Sequence, residues 1–187
     1  MRKLIYSINL SIDGCIDHMK AGPPAPDMFD YYISLTRSGD TLLYGRKLYE
    51  LMFPYWPDVL KNPAGQSKES IAFAEAFCAV ENIVVVSKTL HNIEGKNTRI
   101  VSSNLEEEVL KLKAAPGKNI LTGGVNLSSQ LTQLGLIDEY QFAVGPRIVG
   151  EGRRLWDGLN LPENVHLKLV ESKAFTSGAV LLRYVKS

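Results

Sequence analysis

Apolar residues fall into short separate runs with two different periods. In Lys3–Leu10, the positions Leu4, Tyr6, Ile8 and Leu10 would share one face of a strand, and Asp13-Gly14 marks a turn shortly after. The proline-rich segment Ala21–Pro26 cannot be helix interior and is predicted as a loop. Asp27 then precedes Met28, Tyr32 and Leu35 at near-helical spacing. This predicts a helix with Asp27 as N-cap or first-turn acid, ended by Ser38-Gly39-Asp40. Thr41–Tyr44 is a short apolar strand that runs into Gly45-Arg46 and a helical start over Lys47–Met52. The prolines and aromatics of Phe53–Gln66 predict a long ordered loop.

Ser67–Val80 is predicted as a helix with Ile71, Ala74, Phe77 and Cys78 on its buried stripe. Ile83–Val86 is a continuous apolar run, the pattern of a strand covered on both faces. Arg99–Val101 is a further strand, after which Asn104 is the predicted cap of a helix reaching Ala115, whose first turn holds Glu106, Glu107 and Glu108. Pro116-Gly117 closes that helix. Next come a strand at Ile120–Thr122, a turn at Gly123-Gly124, a helix over Val125–Leu134 and a strand at Glu139–Val144. Gly145–Gly152 reads as a loop, and His166–Glu171 and Ala179–Val185 read as an antiparallel hairpin around Phe175–Gly178. Alternating strands and helices imply an α/β fold with a mostly parallel central sheet and helices on both faces. The terminal hairpin adds an antiparallel edge. No internal repeat or linker divides the chain, so residues 1–187 are predicted as one domain.

Composition narrows the function classes. Apolar residues make up 45% and charged residues 22% of the 187, ordinary globular values. With 21 Lys+Arg against 20 Asp+Glu, there is no electrostatic footprint for nucleic acid or an anionic membrane. The basic start precedes an apolar run broken at Asn9 and at Asp13-Gly14, too short for a signal peptide, and no run of about 18 apolar residues occurs. A cytoplasmic protein is expected. Two cysteines, Cys15 and Cys78, exclude a disulfide framework. His18 lies three positions after Cys15, but nothing marks that thiol as a thiolate nucleophile. HExxH and CxxC patterns are missing, which argues against a dedicated metal site.

Three strand ends share a format. The predicted strands run into Gly45-Arg46, into Ser87-Lys88-Thr89 and into Gly123-Gly124. In an open parallel sheet, ligands bind outside the carboxyl ends of strands. Glycines permit close backbone approach, and a following helix N-terminus presents unpaired N–H groups to an anion. Arg46 and Lys88 add charge, and Ser87, Thr89 and Thr122 add hydroxyls. Gly-Gly before a helix is often only a turn, and a lysine after a strand is usually just solvated. The conjunction of all three points to a ligand with several phosphates. Neither the P-loop lysine motif nor the Rossmann glycine triad is present.

The pieces SINLSIDGCID (Ser7–Asp17), LLYGRKLYE (Leu42–Glu50), VVVSKTL (Val84–Leu90), Ile120–Trp156 and AFTSGAVLLRY (Ala174–Tyr184) resemble, in order, the dihydrofolate reductase-like family. The branch they are most similar to contains the reductase domain of bacterial riboflavin biosynthesis. The resemblance implies a three-layer dihydrofolate reductase-like fold, NADPH as hydride donor, and a small heterocyclic or sugar-derived substrate reduced at a C=N or C=O type bond. It places Gly45-Arg46 at a cofactor phosphate and Ser87-Lys88-Thr89 at the adenosine 2′-phosphate. Gly123, Gly124, Val125 and Asn126 fall at the pyrophosphate turn, directly after the Thr122 hydroxyl already counted as a candidate cofactor contact. On the substrate side it nominates Asp27, with Asp30 and Asp13 as competitors, as the acid that binds the substrate or relays a proton from a raised pKa. The apolar edge left by the terminal hairpin, with the resemblance, also points to a homodimer. A non-catalytic nucleotide-binding protein on the same fold is the alternative.

Overall fold

A computed structural model of the chain describes residues 1–93, 95, 97–161 and 163–187. The strands are β1 (Leu4–Ser11), β2 (Gly39–Gly45), β3 (Asn82–Val86), β4 (Thr98–Val101), β5 (Asn119–Thr122), β6 (Glu139–Gly145), β7 (Leu167–Ala174) and β8 (Val180–Lys186). The helices are α1 (His18–Ala21), α2 (Phe29–Arg37), α3 (Arg46–Lys61), α4 (Lys68–Cys78), α5 (Leu105–Ala114) and α6 (Asn126–Gln133), with a 3₁₀ turn at Pro26–Met28 before α2. One eight-stranded sheet has the order β4-β3-β2-β5-β1-β6-β8-β7. The first six strands are parallel; β8 runs antiparallel to both β6 and β7. No helix among the described residues is long and apolar enough to cross a membrane.

Two apolar layers sandwich the sheet. On one face α5 and α6 place Val109, Leu127 and Leu131 over Leu4, Tyr6, Leu43 and Ile120. On the other, α2, α3 and α4 place Leu35, Leu48, Met52 and Phe77 over Ile5, Leu42, Val85 and Leu121. The alternation of β1 explains the division, since successive side chains point to opposite faces. The β1, β2 and β3 cores are buried on both sides, as continuous apolar strands require.

Several sequence expectations are corrected. Phe53–Lys61 is not a loop; α3 continues through Pro54 and Pro57 to Lys61. Each proline removes a backbone hydrogen bond and crowds the preceding turn. Aromatic packing outweighs that cost: Phe53 stacks on Tyr49 at 4.6 Å and meets Phe77 at 5.6 Å, and Trp56 lies 4.5 Å from Phe73. Cys78 is exposed, and Ala76 takes a buried place on α4 instead. Asn104 holds the N-cap position of α5 with a left-handed φ of 53°, but its side chain makes no cap bond. Asp27 belongs to the 3₁₀ turn, and α2 starts at Phe29 without a side-chain cap.

Candidate functional site

The carboxyl ends of the parallel strands form one edge, and its middle is split. β1 pairs with β5 from Leu4↔Ile120 only as far as Tyr6↔Thr122, whereas β1 stays paired with β6 as far as Ser11↔Gly145. Beyond Tyr6 and Thr122 the two strands part. The chain leaving β1 crosses to β2 over one face through α2, and the chain leaving β5 crosses to β6 over the other through α6. Opposed crossovers of this kind leave a crevice at the strand ends. β3, β2, β5 and β1 are consecutive neighbours, so their ends span about 14 Å at the usual strand spacing.

The three sequence-predicted anion elements line this edge. Gly45, paired with Val86 of β3, is the N-cap of α3 and provides no side-chain cap. A Cβ at Gly45 would meet only Leu127 Cβ, at 3.6 Å, so the glycine is not demanded by packing. Arg46 is exposed and forms an i,i+4 pair with Glu50 at 3.6 Å. Gly123 is tightly placed, because a Cβ there would sit 3.2 Å from Leu48 Cδ2 and 3.3 Å from Ser7 O. Gly124 is required by conformation, with φ of 77°. Val125 is the N-cap of α6, again without a side-chain cap bond. α4 is capped by the Ser67 hydroxyl, whereas α2 and α5 lack a side-chain cap as α3 and α6 do. α3 and α6, which follow the adjacent strands β2 and β5, thus leave N–H groups for an external acceptor.

The loop after β3 is built by Ser87. Its N–H donates to Val101 O, and its Oγ accepts from the N–H groups of Thr89 (3.2 Å) and Leu90 (2.9 Å). The buried hydroxyl therefore shapes the turn rather than facing a ligand. Lys88 and Thr89 are exposed at the tip, and Lys88 forms no ion pair among the described residues. Thr122 also departs from its expected place: it is buried, and its hydroxyl donates to Leu43 O at 2.7 Å, binding β5 to β2. Uncapped helix ends, glycine approach and an exposed lysine suit an anionic ligand.

The acids fare differently. Asp13 Oδ1 accepts from Ser11 Oγ (2.6 Å) and Val149 N–H (3.1 Å); Oδ2 accepts from Gly150 N–H (2.9 Å) and faces Arg154 at 3.5 Å. These donors, the Ser11 hydroxyl first, hold its carboxyl far below the usual carboxylate range. Asp27 Oδ2 accepts from Ser177 N–H (2.8 Å) and Thr176 Oγ1 (2.7 Å) in the β7–β8 turn, which also lowers its pKa. The expectation of a raised pKa is therefore corrected for both: each carboxyl is held by donors that favour its charged form. Asp30 is exposed on α2. Beside the crevice lies a small apolar cleft of about 60 Å³ between Pro24, Ala25 and Met28 on one side and Asn9, Ala143 and Gly145 on the other.

Sequence reading missed how the loops after β1 and β6 are joined. Ile16 N–H donates to Arg153 O, Leu155 N–H to Gly14 O, and buried Cys15 bridges Arg154. Cys15 is thus a packing residue, with its Sγ 3.0 Å from where a Gly152 Cβ would lie. Arg153 also donates to Asn126 Oδ1 at 2.8 Å and brings a cation to the start of α6. The glycine-and-arginine run Gly150–Arg154 was the only signal for it.

A three-layer sheet of this order with a split carboxyl edge defines the dihydrofolate reductase-like fold. The structure of dihydrofolate reductase from Enterococcus faecalis complexed with NADP(H) superposes with a TM-score of 0.62 at 13% identity, over 99% of this chain and 96% of that one. A putative riboflavin biosynthesis protein from Shewanella sp. PV-4 superposes with a TM-score of 0.71 at 17% identity, over 99% of each chain. Residues 2–181 match the RibD C-terminal domain, and the chain belongs to that family. YyaP of Bacillus subtilis (strain 168) is 30% identical over 188 residues, covering 98% of this chain and 94% of that protein.

Proposed function

We propose that this protein is an NADPH-dependent reductase that delivers a hydride to a C=N or C=O type bond of a small heterocyclic or sugar-derived substrate. Membership of the RibD C-terminal domain family and the fold shared with an NADP(H)-binding dihydrofolate reductase support the class. The observation that carries the reading is the line of Lys88, Gly45 and Gly124 along one edge, ending at the gap between β1 and β5. Lys88 would meet the 2′-phosphate, and the uncapped ends of α3 and α6 would meet the bridging phosphates. The bound nicotinamide supplies the hydride; the protein orients it against substrate held near the Met28–Ala143 cleft.

Purified protein should bind NADPH and oxidise it, followed by absorbance, with at least one substrate from a panel of pterins and ribosylaminopyrimidines. A second reading, nucleotide binding without turnover, is favoured by the hydrogen bonds that already occupy both candidate acids, Asp13 from Ser11, Val149 and Gly150 and Asp27 from Thr176 and Ser177. Binding with no oxidation across the panel would select it, and failure to bind NADPH would overturn both.

We further propose a homodimer in the cytoplasm as the working unit. β7 is an edge strand, exposed along most of its length, with Leu169 and Val170 nearly half accessible. Light scattering at micromolar concentration should return twice the 20.7 kDa chain mass; the chain mass itself would refute the dimer.

A further inference from the structure

Two hydroxyls lie buried directly beneath the Gly123-Gly124 turn. Tyr6, on β1 and with no exposed surface, donates its hydroxyl proton to Gly124 O at 2.9 Å. Ser128, on the first turn of α6 and equally buried, lies beside the Tyr6 hydroxyl and reaches Gly123 O at 3.4 Å. The ring of Tyr6 cannot drift, because Tyr140 and Phe142 meet it edge-on at 6.2 and 6.5 Å. Both glycine carbonyls are therefore drawn inward.

A trans peptide points its N–H opposite to its C=O. Holding the carbonyls of Gly123 and Gly124 inward turns the N–H groups of Gly124 and Val125 outward, toward the strand-end crevice. Neither N–H has a protein acceptor among the described residues. The backbone supports the same outcome: Gly124 is left-handed with φ of 77°, and Val125 follows in the right-handed helical region. Such a pair makes successive N–H groups converge on one point, a concavity that binds anions.

We propose that Tyr6, assisted by Ser128, is a positioning residue for the pyrophosphate of the dinucleotide: its hydroxyl fixes the double-glycine turn so that two N–H groups are presented before the ligand arrives. The inference rests on the reductase reading above. It assigns a function to a tyrosine that otherwise reads as core packing. Without the hydroxyl, Gly124 O would lose its partner and the peptide could rotate. The anion would then have to bear the cost of ordering the turn.

Tyr6→Phe keeps the ring and removes the hydroxyl; Ser128→Ala is the second variant. Calorimetric titration would compare NADPH with adenosine 2′-monophosphate, which carries the 2′-phosphate but no phosphate at the 5′ position. Tyr6→Phe should weaken NADPH roughly tenfold, the scale of one hydrogen bond. It should leave the monophosphate unchanged and kcat little altered, so that the loss falls on KM. Ser128→Ala should show the same pattern more weakly. An equal loss for both ligands would make Tyr6 a general folding residue and overturn the proposal, as would no loss at all. Inorganic pyrophosphate separates this inference from the function: a wild type stabilised by pyrophosphate but not by NADPH sinks the reductase reading alone. In that case Tyr6→Phe must still weaken pyrophosphate binding roughly tenfold, and a wild type that binds neither ends both.

Discussion

Lys88→Glu is expected to weaken NADPH binding by roughly a hundredfold while leaving NADH binding close to wild type. The ammonium stands on a turn that Ser87 holds by two backbone bonds, so its origin is fixed although the side chain is free. Gly45 and Val86 are register partners, which sets the Ser87–Thr89 loop one strand away from the N-terminus of α3. A charge-assisted contact to the 2′-phosphate contributes about 1–3 kcal/mol, and reversal to a carboxylate replaces that attraction with repulsion. NADH carries only a 2′-hydroxyl, which a carboxylate can accept from, so its affinity should hold or rise slightly. Because Lys88 is exposed, the NADPH preference should also shrink as salt approaches 1 M, where the screening length falls to about 3 Å. Dissociation constants for both nucleotides, in both proteins and at two salt concentrations, check this. An unchanged NADPH/NADH ratio in the variant would remove Lys88 from the cofactor site.

The elements that position this lysine were legible because they rest on local signals. Ile83–Val86 is uninterrupted and apolar, Gly123-Gly124 precedes a helix, and Gly45 ends a buried strand. The expected strands, including the antiparallel C-terminal pair, lie within a few residues of the observed ones. What the local pattern could not give was any partner distant in sequence. Asp27 looks like a helix acid until its contacts with Thr176 and Ser177, some 150 positions away, are seen. Asp13 looks like a candidate proton carrier until Val149 and Gly150 close on it. The donors to Asp27, and the two backbone donors to Asp13, come only with the tertiary fold; the Ser11 hydroxyl, the largest influence on Asp13, is local. The continuation of α3 through two prolines failed for the same reason: its stabilising rings lie on α4. Tyr6 and Thr122 show the converse error of taking residue type for role. The hydroxyl of Thr122 binds two strands together, and the tyrosine in the core reaches the candidate site.

The opposite edge of the sheet carries the largest stability effect. Asp40→Ala is expected to cost about 3–5 kcal/mol, the range for stranding one member of a buried ion pair. Arg2 and Asp40 have side chains only 6% and 10% exposed and are in direct contact. Asp40 sits at the irregularity where β2 shifts register against β5, between Gly39 and Thr41. From there its Oδ2 accepts from Lys118 N–H at 2.7 Å, while Thr41 Oγ1 donates to Oδ1 at 2.8 Å. Arg2 meets the same turn from the other side, donating from Nε to Lys118 O at 2.6 Å. Three segments far apart in the chain thus converge on one carboxylate. Removing it leaves a guanidinium with no anion and opens the turn before β5. With total stabilities of about 5–15 kcal/mol for ordinary domains, the variant should be near the margin of folding at 37 °C. Replacing both partners by apolar residues, Arg2→Met with Asp40→Leu, should cost less than Asp40→Ala alone, since no charge is then stranded. Urea unfolding of the single and double variants checks the order. The surviving folded Asp40→Ala protein should bind NADPH as the wild type does, because this pair lies at the amino end of the parallel strands and the proposed cofactor elements lie at the carboxyl end. A double variant less stable than Asp40→Ala would mean that the pair contributes attraction beyond its own burial cost, and the ion pair would then be a net stabiliser of the β2–β5 junction.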